Sequence, residues 1–403
     1  MNQAVTDILY ELLRQVTGFI YPNEVEIHWS ILIVVYPYLT GLVAGAFILA
    51  SLVKVFNVKE VQAVYRLSLL TALAFLLIAP LPLLLHLGHP ERAYEIFLNP
   101  NFTSAMAMFG FVYAWYLMVV LVMEIWFTYR RDLIEWSQQE RFPMRWIHRL
   151  VALYSSDLSD RALEYDRKFV KAITIIGIPS AFLLHGYVGF IFGSIKANPW
   201  WSSVLMPIVF LFSAIVSGIA LVILLYMVIL PLRGEKIDMQ CLDRMSSFLF
   251  YAAIIDFSLE LLDFIHRLYE SEESIRILAE LVMNKLFISL GIIQVLLGML
   301  LPLAIMICIK LFKFDAELRK LLYFLSAILI QLGIFATRWN VVIGGQMFSK
   351  SFRGLTTYKM EIGGIEGLLM TLFLLVLPLL VLAALIKVLP PWGPAARSGA
   401  EQA

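Results

Sequence analysis

Residues 201–230 read WSSVLMPIVFLFSAIVSGIALVILLYMVIL, a stretch without a single Asp, Glu, Lys or Arg. A helix needs about 20 mainly apolar residues to cross the hydrocarbon core of a bilayer, so this stretch predicts a transmembrane helix. Other apolar stretches of similar length lie near 30–56, 64–87, 103–128, 170–193, 246–268, 280–310, 319–342 and 365–389. We therefore predict an all-α integral membrane protein with about nine transmembrane helices, numbered 1 to 9 along the chain, in packed four-helix-bundle-like halves.

The composition agrees with a membrane protein and excludes several other classes. Of the 403 residues, 61% are hydrophobic and only 15% are charged, whereas a soluble domain is about 45–50% apolar and about 25% charged. Membrane lipid is therefore the expected surrounding. The net charge of +1, without a basic cluster with interleaved aromatics, predicts no nucleic-acid partner. Only Cys241 and Cys308 are present, which excludes a disulfide framework, a cysteine-ligated iron–sulfur cluster and a cysteine-rich zinc site.

The distribution of Lys and Arg predicts the orientation in the membrane. The segment from Tyr129 to Lys171 alone holds nine of these residues, and the segments after odd-numbered helices hold most of the total. Cytoplasmic loops carry this excess of positive charge. We therefore predict a multi-pass protein of the cytoplasmic (inner) membrane, with the N-terminus outside and the C-terminus in the cytoplasm.

Three segments outside the predicted helices have expected places. Residues 1–27 are predicted to be an extracytoplasmic interfacial segment, with an amphipathic helix over 6–21 that is too short and too mixed to span. Residues 391–403 are predicted to be a cytoplasmic tail. The loop 129–169 is predicted to form a short pair of cytoplasmic amphipathic helices near anionic headgroups.

Helix 6 carries charges where the bilayer should be. A charged side chain in the membrane interior costs at least about 2.5–3.5 kcal/mol, so each one needs an explanation. The charged residues of helix 6 are Asp256, Glu260, Asp263 and Arg267. The last three follow Asp256 by 4, 7 and 11 residues, which places all four within about 60° of one another on one face of the helix. Carboxylates so close cannot all be ionised at ordinary cost, so at least one is expected to carry a proton. The alternative is a set of structural ion pairs, for example Asp263 with Arg267.

Histidines and tyrosines cluster toward the same, outer end of the predicted helices. His86 ends helix 2, His185 lies about two turns from the end of helix 4, and His266 ends helix 6. Helix 4 continues from His185 as HGYVGF, and its glycines would admit either a flat ligand or a neighbouring helix. Tyr187 in this run and Tyr36 in helix 1 are further candidates for ligand contact.

Arg338 stands near the end of helix 8, in the run Thr337-Arg338-Trp339-Asn340. A long cationic side chain at this depth has two options. It can extend outward to the membrane surface, or it can pair with the carboxylates of helix 6. The sequence leaves both open.

Taken in order, these motifs resemble the membrane subunits of the polysulfide reductase (NrfD-like) family, over a transmembrane domain of residues 28–390. The motifs that carry the resemblance are His28-Trp29, HLGHPER at 86–92, the His185 run, and Arg338-Trp339-Asn340. The loop 340–349, NVVIGGQMFS, is most similar to the branch found in the sulfite-reduction-associated (DsrMKJOP-type) complex, which implies a place in sulfur metabolism.

The resemblance implies a quinone- or quinol-binding subunit of a respiratory redox complex, not catalytic alone. It implies menaquinone as the quinone, no haem, iron–sulfur cluster or other metal in this chain, and an extracytoplasmic ferredoxin-like iron–sulfur subunit among its partners. Hydrogen bonds to the quinone are expected from Tyr36, His185, Tyr187 and Asp256. Proton transfer at the site is expected to involve Asp256, Glu260 and His185, with onward transfer through Asp263, His266, Arg267, His86 and Arg338.

Two other functions remain open at this point. A b-type cytochrome could use two of His86, His185 and His266 as axial ligands. An ion- or proton-coupled transporter could use the helix 6 carboxylates as its coupling site.

Overall fold

The computed structural model describes residues 26–139, 142–270 and 274–392. Within them, eight helices are long and apolar enough to cross a membrane: α1 Leu32–Lys54, α2 Lys59–His86, α3 Ala105–Gln139, α4 Asp160–Gly193, α5 Met206–Leu232, α7 Phe287–Leu311, α8 Ala316–Val342 and α9 Leu368–Val388. Between α5 and α7, the chain forms α6, Met239–Glu270. At 1.5 Å per residue α6 is about 48 Å long, longer than the about 30 Å of hydrocarbon. The prediction of an all-α membrane protein is confirmed.

The structure differs from the prediction around 129–169. One short helix, Met144–Val151, lies there, followed by a connection without regular structure over 152–159. Residues 129–139 belong to the end of α3 and residues 160–169 to the start of α4, and both helices extend well beyond their apolar cores. Ser159 caps the start of α4 by accepting a hydrogen bond from the Ala162 amide at 3.3 Å. Arg130 on α3 pairs with Asp166 on α4 at 2.7 Å. Caps and ion pairs of this kind allow charged helical turns to continue outside the bilayer, which a search for apolar runs does not detect.

Two groups of four helices, α1–α4 and α5–α8, meet along α1 and α5. The backbones of α1 and α5 touch at Gly45 and Gly218. A β-carbon on either residue would overlap the other helix, so this contact requires glycine on both sides. Gly298 of α7 and Gly333 of α8 make the same kind of contact within the second group. Small residues let membrane helices approach this closely, since dispersion contacts rather than water drive their association. Helix α9 packs against α2.

Short elements complete the described chain. They are the turns Pro90–Arg92 and Gly344–Gln346 and the helices Glu95–Leu98 and Ile275–Glu280. The predicted segment 1–27 and tail 391–403 lie outside the described residues, apart from 26–27 and 391–392.

Candidate functional site

A fully buried arginine lies at the centre of the bundle. Arg338 of α8 donates through Nη2 to His185 Nε2 at 3.1 Å and to Ser213 Oγ at 2.5 Å. Its guanidinium carbon lies 4.1 Å from the centre of the Phe210 ring. Arg338 has no exposed surface, so it does not extend to the membrane surface. The outward option is therefore wrong. Arg338 faces the interior of the bundle, where its hydrogen-bond partners among the described residues are His185 and Ser213 and not a carboxylate.

His185 of α4 is held on both sides of its ring. Arginine only donates hydrogen bonds, so Nε2 must be the acceptor and Nδ1 the protonated nitrogen. Nδ1 lies 3.3 Å from the Thr40 hydroxyl, which in turn donates to the Tyr36 carbonyl at 3.1 Å. A β-carbon at Gly41 would lie 3.2 Å from the imidazole, so this glycine makes room for the ring. Both ring nitrogens are engaged, and His185 therefore positions Arg338.

Two carboxylates of α6 lie near this arginine, one on the buried Asp256 and one on the half-buried Glu260. Asp256 is 2% exposed, and Arg338 interacts electrostatically with both Asp256 and Glu260. Among the described residues, Asp256 Oδ1, Glu260 Oε1, Arg338 Nε and Arg338 Nη1 have no hydrogen-bond partner. Buried polar atoms without partners are costly. The Arg338 guanidinium and the two carboxyl groups thus lie near one another, and each has a nitrogen or oxygen atom that could form a further hydrogen bond. Such an arrangement is expected of a site that binds a polar ligand or water.

Glu260 starts a chain of polar side chains that the sequence analysis did not identify. Gln294 of α7 donates to Glu260 Oε2 at 2.8 Å, and Asn340 of α8 donates to Gln294 Oε1 at 2.7 Å. Ser289 completes the chain by donating to Asn340 at 2.6 Å. A cavity of about 50 Å³ lies beside Glu260, Gln294 and Arg267, large enough for water. In the sequence, Gln294 appears only as a single polar residue within an apolar run, and this pattern does not show which residues it contacts.

Asp263 and Arg267 adopt the structural arrangement that the sequence analysis gave as an alternative. Asp263 is fully buried and accepts hydrogen bonds from Arg267 and from Ser203. Arg267 also donates to the Trp200 carbonyl at 2.8 Å. These contacts attach α6 to the segment before α5. His266 beside them is half-buried.

The other predicted residues fall into two groups. His86 ends α2, where its Nδ1 lies 3.1 Å from Glu366 Oε1, so a loop residue near α9 engages this imidazole. Tyr36 and Tyr187 instead flank the Phe109 ring, at 5.6 and 6.0 Å between ring centres. The Tyr36 hydroxyl is buried and has no partner within the described ranges. Tyr36 lies one turn from Thr40 on α1, and it therefore connects the aromatic group to the His185–Arg338 pair.

The sequence analysis did not identify a further buried carboxylate, which lies on α3. Glu124 of α3 is fully buried and accepts hydrogen bonds from Tyr65 at 3.2 Å and Thr174 at 2.8 Å. It is the only charged residue in the predicted span 103–128. Its position alone was a sufficient signal.

Fold and buried cluster together define a multi-pass α-helical membrane protein with ionisable side chains at its centre. Such side chains mark ion, proton or substrate pathways in membrane proteins. A family model described as polysulphide reductase, NrfD matches residues 22–350, and the chain belongs to this family. The family resemblance stated from the motifs is confirmed.

Three relatives illustrate the similarity. The chain is 32% identical over 324 residues to a selenate reductase subunit of Mesobacillus selenatarsenatis, covering 78% of this chain and 73% of that protein. It is 29% identical over 202 residues to a putative dimethyl sulfoxide reductase membrane subunit of Halobacterium salinarum, covering 48% and 42%. It is 27% identical over 199 residues to NrfD of Escherichia coli, covering 49% and 58%. These relatives fit a membrane subunit of a redox complex.

Proposed function

We propose that this chain is the quinone- or quinol-binding membrane subunit of a multi-subunit respiratory redox complex. In this proposal it exchanges electrons with an extracytoplasmic iron–sulfur subunit and transfers the accompanying protons. The observation that carries the proposal is the buried group around Arg338, where Asp256 and Glu260 retain carboxylate oxygens without partners in the described part of the chain. A relative is named as a subunit of selenate reductase, which supports a role within a reductase complex.

The residues present suit a quinone headgroup, although not in the arrangement predicted from the sequence. Tyr36 offers a buried hydroxyl without a partner in the described ranges, and Asp256 offers a carboxylate oxygen in the same condition. His185 has both nitrogens engaged, so its role is to position Arg338 rather than to contact the ring. Quinol, when bound, supplies two electrons and two protons. Tyr36 would donate a hydrogen bond to a ring oxygen. The cavity beside Asp256, about 10 Å³, has room for at most one water molecule, so Asp256 would receive a quinol proton through water.

Proton transfer away from the site would follow the polar chain of α7 and α8. Glu260 interacts electrostatically with Arg338, as Asp256 does, and Glu260 and Gln294 both line the cavity of about 50 Å³. Water in this cavity would connect Glu260 to the Arg267 end of α6, which we predict to face the outside. Asp263 would stabilise this route as an ion pair, because its oxygens already accept from Ser203 and Arg267.

Electrons must pass to a partner, since Cys241 and Cys308 cannot ligate an iron–sulfur cluster alone. The predicted outer loop 88–102 exposes apolar side chains suited to a protein contact, among them Tyr94, Phe97 and Phe102. We propose that a ferredoxin-like iron–sulfur subunit docks there and on 343–363. Menaquinone as the quinone, and the sulfite-reduction branch suggested by loop 340–349, belong to the same proposal.

The test is the quinone content of the purified complex. Solvent extraction and mass spectrometry should find about one quinone per complex, and Tyr36→Phe should lower this amount at least about fivefold, the scale of one hydrogen bond. Tyr38→Phe is the matched control, because the Tyr38 hydroxyl already donates to Gln331 at 2.7 Å. A complex without quinone, or a haem signal in a pyridine haemochrome spectrum of the purified chain, would overturn the proposal.

A further inference from the structure

A cavity of about 210 Å³ lies at the opposite end of the first helix group from the predicted quinone site. It is at the end where Lys and Arg are densest. Each of the helices α1 to α4 contributes one cation to its lining: Lys54, Arg66, Arg131 and Arg167. Four helices thus direct positive charge to one place, outside the set of residues used in the proposed function.

The carboxylates of this cavity are already engaged. Asp132 pairs with Arg66 at 2.5 Å, and Asp166 pairs with Arg130 at 2.7 Å. Lys54 and Arg167 form no ion pair in the part of the chain that the structure describes. Outside the cavity lining, Arg131 pairs with Glu135 at 2.8 Å, and Glu124 is close enough to Lys54 to interact with it electrostatically. Lys54 and Arg167 are therefore the two lining cations that remain available for ion pairing with a further anion.

Arg66 and Lys54 are oriented for a further contact. Arg66 lies 4.5 Å over the Tyr129 ring, and its Nη1 is buried without a hydrogen-bond partner among the described residues. Lys54 Nζ lies 4.6 Å over the Tyr65 ring, and it donates no hydrogen bond to an oxygen within the described ranges. The group that satisfies such donors is an anion with several oxygens, and a phosphodiester has this chemistry.

The remaining side chains that line the cavity include apolar ones, and these favour a phospholipid headgroup over a free phosphate ion. Phe127, Leu163 and Val170 lie beside the cations. Deeper in the membrane on the same two helices, Met123 and Ile175 are exposed. A headgroup in the cavity could therefore continue into acyl chains along α3 and α4. A free phosphate would use only the cations.

We propose that this cavity binds the headgroup phosphate of an anionic phospholipid. Basic pockets between membrane helices on the cytoplasmic side bind such headgroups, and this end of the bundle is the predicted cytoplasmic one. Bound lipid would hold together the ends of α1–α4. The site is independent of the proposed quinol chemistry.

Native mass spectrometry of the purified complex tests the proposal, with phosphatidylglycerol, phosphatidylcholine and inorganic phosphate as probes. The double variant Lys54→Gln/Arg167→Gln removes the two cations without ion pairs. The matched control is Lys236→Gln/Lys313→Gln, which removes two exposed cations of the same predicted face outside the cavity. Phosphatidylglycerol affinity should fall about 25-fold in the first variant, about fivefold per cation. It should change less than about twofold in the control.

The outcomes separate the possible ligands. Equal phosphatidylglycerol affinity in the two double variants would overturn the proposal. Inorganic phosphate that displaces the lipid and shows the same dependence on the variants would also overturn it, in favour of a free-phosphate site. If the double variant does not assemble, Arg167→Gln alone changes an exposed side chain and should still weaken phosphatidylglycerol binding about fivefold.

Discussion

Replacing Asp256 by Asn removes an ionisable group from the centre of the proposed site while keeping its shape. Asp256 is 2% exposed, and its Oδ1 has no partner among the described residues. The cavity beside it measures about 10 Å³, the lower limit for one water molecule. The side-chain amide therefore fits the same space. An amide is also less costly to bury than a carboxylate, so the complex should assemble at wild-type levels.

The rate, in contrast, should fall. A positioned base contributes about 10²–10⁴-fold to a proton-transfer step, so quinol oxidation should drop about 100-fold or more, equivalent to about 2.7 kcal/mol of transition-state stabilisation. The assay is quinol:acceptor oxidoreductase activity per assembled complex, with quinone content measured in parallel. Retained quinone with lost turnover separates the proton-accepting role from a role in binding.

Asp243→Asn is the matched control for this experiment. Asp243 lies on the same helix, where it accepts from Arg319 at 2.5 Å and from Tyr323 at 3.0 Å, away from Arg338. This variant should keep its quinol activity per assembled complex. An assembled Asp256→Asn complex with full activity would refute the reasoning and leave Glu260 as the proton acceptor. Poor assembly of Asp256→Asn would instead indicate a structural role.

Asp263→Asn should reduce the yield of assembled complex on size-exclusion chromatography, since removing one partner of a buried ion pair costs about 3–5 kcal/mol; normal assembly would contradict the ion-pair role. Gly218→Ala should lower the thermal midpoint, because its β-carbon overlaps the α1 backbone. Gly291→Ala is the control with room for a methyl group, and equal midpoints for both variants would argue against the contact. A cysteine introduced at Ser271, which lies outside the described residues, should react with a membrane-impermeant thiol reagent from the outside; labelling only from the cytoplasm would reverse the predicted orientation.

The fold was largely predictable because its helices are marked by long apolar runs. The run 206–230 has no charged residue, and the structure has a helix over Met206–Leu232. The ends of α3 and α4 were harder to predict, since these helices continue through charged turns that the Arg130–Asp166 pair stabilises. Hydropathy reports the lipid-facing part of a helix and not its extension into water.

The site was predictable in position but not in its connections. The apolar run correctly placed Asp256, Glu260, Asp263 and Arg267 on one helix. For Arg338, the sequence left an inward and an outward position equally open. Which carboxylate pairs with which cation depends on contacts between helices distant in sequence. The Asp263–Ser203 hydrogen bond is one example. His185 was chosen as a ligand-binding residue, yet its partners come from α1 and α8.

The complete burial of Arg338 also constrains how the protein is made. A charged side chain costs about 2.5–3.5 kcal/mol at the centre of a helix that enters the bilayer by itself. This value is an upper bound for Arg338, which lies near the end of α8, and the carboxylates of α6 carry a similar penalty. Synthesis proceeds from the N-terminus, so α6 emerges before α8 exists. The neutralised centre can therefore form only after α8 is synthesised. Until then α6 lies in the membrane without the cation of α8, so a nascent chain that stops before α8 is expected to be less stable and more readily degraded than the complete chain.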